Sequence, residues 1–460
     1  MADVQKRDGF ATKFGVIAAA AGSAIGLGNI WKFPYITGEN GGAAFILVYL
    51  GCIALIGVPV MLSEFVIGRR GQKDAAGSFR RLAPGTPWFL TGWMGIAAAF
   101  MILAFYGVVA GWTLHYTFMA IGGNFESMDP AAVGNYFGSF ISTDFLPIFW
   151  QGIFMTLTAG IVLAGVKNGI EKYSKILMPL LLGLLVILAI RSMTLPGAGA
   201  GIDFLLKPDF SKLTGKAVLD ALGHAFFSLS LGMGTMITYG SYINKKENLG
   251  TTAIQVTLAD TGIALLAGLA IFPAVFAFNV TPSAGPGLVF VTLPSVFNQM
   301  FGGPIFATMF FALLAVAALT SSISILEVVV AYFSEEKGMD RKKATIIVTI
   351  LITVIGMLAS LSMGRTSDIM FPFFSSGEWI RVGFFDLLDK FSANFLLPIG
   401  GLFISLFVGW KMKAADVRDE VSNGGTLRAM FFWVFIWAAR IIAPVGIIIV
   451  FLYNLGIIQP

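Results

Sequence analysis

The sequence predicts an all-α integral membrane protein with about eleven transmembrane helices. Of its 460 residues, 57% are hydrophobic and 12% are charged, whereas soluble domains carry roughly 25% charged residues. A soluble chain of this length would still need a charged surface, so burial of a core does not explain the bias. Apolar stretches of about 20 residues, the length that a helix needs to cross a bilayer, recur along the chain.

Eleven apolar segments are predicted to span the membrane. They are residues 14–36, 42–67, 88–119, 145–164, 176–190, 217–243, 253–278, 305–333, 345–361, 384–410 and 427–453. The fifth segment is short. The single cysteine, Cys52, and the two histidines exclude a disulfide framework and a metal cluster built from cysteine or histidine.

The positive charges cluster in short loops, which predicts an orientation and not binding to nucleic acid. The loops after the second, sixth and eighth segments hold Arg69, Arg70, Lys73, Arg80, Arg81, Lys245, Lys246, Lys337, Arg341, Lys342 and Lys343. Loops rich in lysine and arginine face the cytoplasm. The protein is therefore expected in the cell inner (plasma) membrane, with these loops and the N-terminus on the cytoplasmic side. An odd number of spans then places the C-terminus outside the cell.

Two predicted spans carry paired glycines near their centres. The first contains Gly22-Ser-Ala-Ile-Gly-Leu-Gly-Asn29 and the sixth contains Ser228-Leu-Ser-Leu-Gly-Met-Gly-Thr235. Each glycine costs a helix about 1 kcal/mol relative to alanine, and unwound backbone is tolerated in a membrane only where it faces a cavity or is buried in protein. Broken helices at matching positions of two halves indicate a transporter binding site. The alternative is that the glycines only allow close helix packing.

The first and sixth spans lie five apart, as an inverted five-plus-five repeat requires. This spacing predicts a core of ten helices over residues 1–410, with repeats at about 10–195 and 215–410. Residues 411–460 are expected to form a cytoplasmic linker and an eleventh helix. The uncharged connection 279–303 is expected to fold back into the outer vestibule, with an ordinary surface loop as the alternative.

A half-helix that starts at a break presents free amides and a positive dipole end. Amides near Gly26, Leu27 and Gly28 could hold a carboxylate, and freed carbonyls near Gly22, Ala24 and Ile25 could hold a small hard cation. Oxygen-bearing side chains that could complete the cation shell are Asn29, Ser228, Asp260, Thr320 and Ser321. Charged residues are costly within a membrane span, so those in the predicted spans, including Glu64, Glu327 and Arg440, are expected to have a partner or a function.

These motifs resemble those of the neurotransmitter:sodium symporter family. The motifs are residues 22–34 (GSAIGLGNIWKFP) with 39–42 (ENGG), 226–234 (FFSLSLGMG) and 319–322 (LTSS). The resemblance covers almost the whole chain and is greatest to the bacterial branch. It implies a LeuT-like five-plus-five inverted repeat with broken first and sixth helices. It also implies a sodium-coupled symporter that imports an amino acid by alternating access, and not an enzyme.

The resemblance also implies the site residues. One sodium site would use Gly22, Ile25, Ala317, Thr320 and Ser321, and a second, beside the substrate, would use Ala24, Asn29, Ser228 and Asp260. The substrate would meet Ala24, Gly26, Leu27, Gly28, Ile102, Tyr106, Phe227, Ser228, Ser230, Met233, Ser321 and Ile325. The outer gate would be Lys32 with Asp389, and the inner gate Arg7 with Glu335, supported by Tyr242.

The apolar and methionine-bearing pocket predicts a hydrophobic or aromatic amino acid. Many relatives carry asparagine where this chain has Asp260, and bind chloride close by; the Asp260 carboxylate predicts transport without chloride. The expected partners are two sodium ions, the amino acid and the lipid bilayer, with no organic cofactor and no obligate protein partner. An ion channel, an intramembrane enzyme and an amino-acid sensor without coupled transport are the alternatives.

The start of the fifth span leaves two interpretations open. Gly169 precedes Pro179 by ten positions, and proline removes one helical amide and blocks one carbonyl. This end could unwind and admit water toward Thr320 and Ser321. Otherwise the helix simply starts at Pro179.

Overall fold

The structure is a computed structural model that describes residues 9–126, 128–278, 287–375, 377–427 and 431–458. Over these residues nine helices are long and apolar enough to cross a membrane. They are span 2 (Ala43–Gly71), span 3 (Phe89–Ile121), span 4 (Leu146–Leu163), span 5 (Val166–Met193), span 7 (Leu249–Ala277), span 8 (Gly303–Glu335), span 9 (Arg341–Leu361), span 10 (Phe384–Lys411) and span 11 (Phe432–Asn454).

The remaining two predicted spans are each built from two pieces. Span 1 consists of Lys13–Ala24 and Gly28–Glu39, which meet at an angle of 52°. Span 6 consists of Gly215–Ser228 and Thr235–Tyr242. All eleven predicted regions are therefore helical, and the two interrupted ones are those with the glycine motifs.

Shorter elements connect the spans. Helices lie at Ala75–Leu82, Pro130–Ser142, Gly199–Leu206 and Ala414–Val421, a 3-10 turn at Phe210–Lys212, and an antiparallel hairpin at Phe371–Ser375 and Glu378–Val382. We call Ala414–Val421 the strap; it connects spans 10 and 11. The end of the molecule with the strap and the basic loops after spans 2, 6 and 8 is called the basic end, and the other end the vestibule end. Neither the hairpin nor the strap was predicted.

Span 5 begins earlier than predicted. Its helix starts at Val166 with a π-helical turn to Glu171, and Pro179 lies inside the helix that follows, so a helix start at Pro179 is wrong. Hydropathy did not identify the first turns of this helix because they contain charged residues. The Glu171 carboxylate is paired, accepting the Ala11 amide at 2.7 Å and the Thr12 hydroxyl at 2.8 Å.

The connection between spans 7 and 8 folds back, as far as it is described. Leu288–Asn298 is a buried helical segment that packs beside span 8, and the Asn298 amide donates to the Phe125 and Met128 carbonyls at 2.5 and 3.1 Å. Residues 279–286 lie outside the described part. The apolar side chains of this segment explain its packing, since an exposed loop would leave them in water.

Of the nine continuous spans, spans 3 and 8 are the most buried, and spans 4, 5 and 9 the least. Exposed Ile and Leu side chains line spans 5 and 9, for example Ile187 and Ile350. In a bilayer such faces meet lipid without cost. The two interrupted spans pack against the buried centre, which places both breaks inside the bundle.

Candidate functional site

The break in span 1 is held by side chains. Ile25 takes an extended backbone conformation with φ −75° and ψ 99°. The Gly26 amide donates to Asn29 Oδ1 at 3.1 Å. The Leu27 amide donates to the Tyr106 hydroxyl of span 3 at 3.2 Å. The amides freed by the break are therefore bound by groups that a ligand carboxylate could replace.

The break in span 6 is held by a buried carboxylate. Over residues 229–234, Ser230, Gly232 and Gly234 have positive φ angles of 54°, 80° and 77°. The Gly232 amide donates to Glu64 Oε1 of span 2 at 2.8 Å, and the Glu64 side chain is fully buried. The sequence indicated Glu64 as a charge within a span and did not indicate Gly232 as its partner; this bond gives the reason for the charge.

A small cavity of about 20 Å³ lies between the two breaks, with room for about one water molecule. Its lining residues are Ala24, Gly26, Leu27, Gly28, Ile102, Tyr106, Phe227, Ser230, Met233, Ser321 and Ile325. These are the predicted substrate contacts other than Ser228. A Cβ on Gly26 would lie 2.8 Å from the Tyr106 hydroxyl oxygen, so a side chain there would occupy the space beside the freed amides.

Ser23 is a site residue that the sequence reasoning missed. Its carbonyl accepts the Ser230 and Ser321 hydroxyls, each at 2.9 Å, and its own hydroxyl accepts that of Ser324 at 2.8 Å. Ser23 thus joins span 1 to the second break and to span 8. Its place inside the first glycine motif was the available signal.

The first predicted sodium site is only partly assembled. The Thr320 hydroxyl lies 3.0 Å from the Ala317 carbonyl and 3.5 Å from the Ile25 carbonyl. A Cβ on Gly22 would lie 3.3 Å from Thr320 Cβ. The Ser321 hydroxyl instead donates to the Ser23 carbonyl, so this ligand would have to exchange that bond for one to the cation.

The second predicted sodium set forms one hydrogen-bonded cluster. The Asn29 side-chain amide donates to Asp260 Oδ1 at 2.7 Å and approaches the Ser228 hydroxyl oxygen at 3.2 Å. The Ser228 hydroxyl lies 3.0 Å from Asp260 Oδ2. All three side chains are buried. The Asp260 carboxylate of span 7 and the Ser228 hydroxyl of span 6 thus meet beside the cavity, and hard cations prefer such oxygen ligands. The Asn29 oxygen of span 1 accepts the Gly26 amide instead, so the Asn29 side-chain amide would have to turn to bind a cation.

Comparison with known proteins decides the family. The model of the Sodium:neurotransmitter symporter family matches residues 7–128 and 147–460. The chain belongs to this family. An uncharacterized sodium-dependent transporter of Bacillus subtilis (strain 168) is 42% identical to this symporter over 99% of each chain. The human sodium- and chloride-dependent GABA transporter 2 is 26% identical, over 89% of this chain and 74% of the relative.

A solved structure agrees with the sequence comparisons. The crystal structure of MhsT in complex with L-phenylalanine matches this symporter with a TM-score of 0.88 and 50% identity, over 98% of this chain and all of that one. The predicted LeuT-like fold and membership of the neurotransmitter:sodium symporters are confirmed. The protein is a sodium-dependent membrane transporter with many spans, and its family is one of transporters and not of enzymes.

At the vestibule end a second cavity, of about 200 Å³, lies above the first. Leu27, Gly28, Tyr106 and Phe227 line both cavities, and the two aromatic residues among them place large side chains between the cavities. Lys32 and Asp389 both line the upper cavity, but the described residues form no direct ion pair between the two. The Lys32 ammonium instead lies 4.3 Å from the centre of the Phe227 ring, where a cation is attracted to the aromatic face.

At the basic end, the predicted inner gate is only partly described, because Arg7 lies outside the described residues. Glu335 accepts the Asp74 amide at 2.8 Å. The Tyr242 hydroxyl donates to Glu327 Oε1 at 2.7 Å, a partner that was not predicted. The Arg341 guanidinium meets both Glu327 oxygens, at 2.9 and 2.7 Å, which is the bidentate geometry of a strong ion pair.

A titratable carboxyl lies in the loop between spans 2 and 3. Asp74 caps the helix Ala75–Leu82 by accepting the Ala76 and Gly77 amides at 3.0 and 3.2 Å. Burial raises the pKa of the Asp74 carboxyl to about 7, with a further contribution from the nearby negative charges of Glu335 and Glu336. The charge of this carboxyl therefore changes close to neutral pH, next to the predicted inner gate.

Proposed function

We propose that this protein imports hydrophobic or aromatic amino acids by sodium-coupled alternating access, without a requirement for chloride. The observation that carries the proposal is the cavity between the two breaks. Its side wall is apolar, formed by Ile102, Phe227, Met233 and Ile325, while backbone amides near Gly26 lie at one end. A zwitterion with an apolar side chain fits that division, and the L-phenylalanine in the crystal structure of MhsT points the same way.

Two sodium ions are part of the proposal. One would bind the Gly22, Ile25 and Ala317 carbonyls with the Thr320 and Ser321 hydroxyls, and the other Ala24, Asn29, Ser228, Asp260 and the substrate carboxylate. The bonds from Asn29 and Ser228 to Asp260 support the second set, because the three side chains already contact one another. Two cations and a zwitterion gather positive charge in a low dielectric, and the Asp260 carboxylate lowers that cost in place of chloride.

The cavity walls must move to admit a substrate, since about 20 Å³ cannot hold an amino acid. Tyr106 and Phe227, whose side chains lie between the two cavities, are the residues that we propose as the lid. When the vestibule end closes above this lid, Lys32 would leave the Phe227 ring and pair with Asp389 as the outer gate. Asp389→Asn should then slow uptake more than it weakens binding, and equal effects would contradict the gate.

The basic end would face the cytoplasm, together with the N-terminus, because loops rich in lysine and arginine stay inside. The C-terminus would lie outside, and residues 10–195 and 215–410 would form the two inverted repeats. The inner gate would join Arg7 to Glu335, with Tyr242 close by through Glu327. An impermeant thiol reagent tests the orientation, since Lys246→Cys should react only from the cytoplasmic side.

Uptake into proteoliposomes tests the proposal directly. Leucine, phenylalanine, tryptophan, glutamate and lysine are offered with an inward sodium gradient, with equal sodium on both sides, and without sodium. Accumulation of the apolar amino acids only with the gradient is expected. Preferred uptake of glutamate or lysine would refute the substrate class, sodium-dependent binding without accumulation would indicate a sensor, and flux without saturation a channel.

A chloride arm tests the role of Asp260. Replacing chloride with gluconate should leave wild-type uptake unchanged. Asp260→Asn should transport poorly without chloride, because the fixed negative charge is gone, and chloride should restore part of its rate. A wild type that stops in gluconate would overturn this part of the proposal and leave the substrate assignment intact.

A further inference from the structure

The second span ends in a buried arginine at the basic end. The Arg69 side chain is 1% exposed. Its Nε donates to Glu420 Oε1 at 2.5 Å and one Nη to Asn423 Oδ1 at 2.8 Å, and it also donates to the Glu420 carbonyl. The other Nη donates to the Glu247 carbonyl at 2.6 Å. Every nitrogen of this guanidinium is thus bound.

These acceptors come from two segments that are far apart in the chain. Glu420 lies on the strap and Asn423 in the turn after it, whereas Glu247 lies in the loop after span 6. The Asn423 side-chain amide also donates to the Glu247 carbonyl, at 3.2 Å. The end of span 2, the loop after span 6 and the strap therefore meet around one guanidinium, and planar, multiple donation is what arginine provides and lysine does not.

Span 2 is also closely packed against the half-helix that precedes this loop. We call Thr235–Tyr242 the inner half-helix. A Cβ on Gly68 would lie 2.0 Å from the Ile237 carbonyl oxygen, and a Cβ on Gly240 3.0 Å from Phe65 Cα. Backbones this close cannot slide past each other without a clash. Span 2 thus holds the inner half-helix along its length, in addition to the Glu64 bond to Gly232 at its start.

We infer that Arg69 is a positioning residue that makes the strap and the inner half-helix move as one body during transport. The inference rests on the proposed function, since the movement in question is the opening of the basic end. The break of span 6 lines the proposed substrate cavity. In this arrangement a movement at that break is transmitted to spans 10 and 11 through the inner half-helix, Arg69 and the strap. Span 10 carries Asp389 of the vestibule, so both ends of the symporter are tied to one unit.

A role in stability alone predicts different behaviour. A buried ion pair often adds little to stability compared with apolar residues in its place, but removing one partner lowers the free energy of unfolding because the other charge stays buried. That loss would affect the whole protein and would not separate two particular segments. The distance between the strap and the loop after span 6 is therefore the quantity that distinguishes the two roles.

Pulsed electron paramagnetic resonance on spin-labelled pairs measures that distance. In a Cys52→Ala background, labels at the exposed positions Arg418 and Lys246 report the distance from the strap to the loop after span 6. Labels at Arg418 and the exposed Lys337 report the distance from the strap to the loop between spans 8 and 9. Sodium and substrate are added separately and together. We expect the first distance to stay constant in the wild type while the second changes. A first distance that changes with ligand would overturn the inference.

Substitutions then test Arg69 itself. Arg69→Gln should add a longer distance to the Arg418–Lys246 distribution and lower the maximal uptake rate while leaving most sodium-dependent binding. Arg70→Gln is the matched control, because Arg70 is partly exposed and, among the described residues, pairs with acids of the strap alone, at 2.9 Å to Asp416, 3.4 Å to Asp419 and 3.8 Å to Glu420. The Arg70→Gln variant should keep a single distance. An unchanged distribution in Arg69→Gln would overturn the inference.

Two further outcomes are separable. Should Arg69→Gln fail to fold, Asn423→Gly replaces it, since it removes the Asn423 bonds, leaves no buried charge unpaired and suits the positive φ of 50° at this position. Should ligands change neither distance in the wild type, the proposed function fails, and the distributions in Arg69→Gln and Asn423→Gly still decide whether Arg69 holds the strap.

Discussion

Spans 1 and 6 are both interrupted, but the two breaks are held by different kinds of contact. The break in span 1 is short and covers residues 25–27, and its amides donate hydrogen bonds to Asn29 Oδ1 and to the Tyr106 hydroxyl oxygen. The break in span 6 covers residues 229–234, has three residues with positive φ, and is held by Glu64 and by backbone contacts. A Cβ on Gly232 would lie 2.4 Å from the Leu397 carbonyl oxygen.

This difference separates a binding element from a supporting one. The groups that hold the first break are a hydroxyl and an amide whose bonds a substrate carboxylate or a cation could take over at little cost. The second break is held by contacts that no ligand replaces, because a buried carboxylate bond and backbone packing are expensive to lose. We therefore expect substitution of Gly232, which makes these contacts, to damage the fold, and substitution of the groups that hold the first break to damage binding.

The largest effect is expected from Gly232→Ala at the second break. The left-handed backbone costs a non-glycine residue about 1–2 kcal/mol, and crowding against the Leu397 carbonyl adds about 1–3 kcal/mol. The variant should lose thermal stability and uptake together, as measured by the melting temperature in detergent and by transport in proteoliposomes.

Gly85→Ala is the control for backbone conformation. Gly85 also has a positive φ, of 73°, but nothing lies within 4 Å of a Cβ built on it. It should lose only the backbone contribution, about 1–2 kcal/mol, and keep its uptake. Equal losses in the two variants would mean that packing at the second break contributes nothing.

The next effect concerns the sodium ligands beside the first break. Thr320→Val with Ser321→Ala removes two hydroxyl ligands, so sodium-dependent substrate binding should be abolished while the melting temperature changes little. Ser322→Ala is the matched control, because the Ser322 hydroxyl bonds, within the described part of the chain, only the Ala318 carbonyl one turn earlier in the same helix. Retained sodium dependence in a folded double variant would refute the assignment.

A smaller effect is expected from Tyr106→Phe. It removes the hydroxyl that holds the Leu27 amide beside the proposed substrate cavity. One such bond is worth about 1 kcal/mol, or roughly a fivefold to tenfold loss of apparent affinity. Tyr116→Phe on the same span is the control, since its buried hydroxyl has no hydrogen-bond partner among the described residues. A larger loss for Tyr116→Phe would contradict the comparison.

The first break was predictable from the sequence, and the support of the second was not. Gly22, Gly26, Gly28 and Asn29 lie within one motif, so local composition and backbone propensity indicate both the break and its ligands. Glu64 lies 168 positions before Gly232, and no local pattern connects them. Its charge inside a span showed only that some partner was needed.

Hydropathy predicted the spans because only helices satisfy their backbone in lipid. It failed where charges are paired inside the protein, as at Glu171 in the first turns of span 5, and where an element lies outside the bilayer. The strap contains Asp416, Arg418, Asp419 and Glu420 and has no apolar stripe long enough to be noticed. It contacts Arg69 and Arg70, which again lie far away in the chain.

The smallest effect tests whether the support of the second break depends on pH. The helix Ala75–Leu82, capped by Asp74, packs on this break, since a Cβ on Gly234 would lie 3.0 Å from Ala75 Cβ. Burial raises the pKa of the Asp74 carboxyl from 3.8 to about 7. Between these values the folded state holds a proton that the unfolded state has lost, so the contribution of Asp74 to stability is complete below pH 3.8 and disappears as the pH rises through about 7.

Asp74→Asn keeps an oxygen that can cap the helix and removes the titration. The wild-type melting temperature should therefore fall between about pH 5 and about pH 8 by a few degrees more than that of the variant. Asp340→Asn is the matched control, because Asp340 caps span 9 through the Lys342 and Lys343 amides but is exposed, and its pH dependence should follow the wild type. If Asp74→Asn also follows the wild type, the carboxyl does not titrate in this range, and the second break is supported equally at every pH tested.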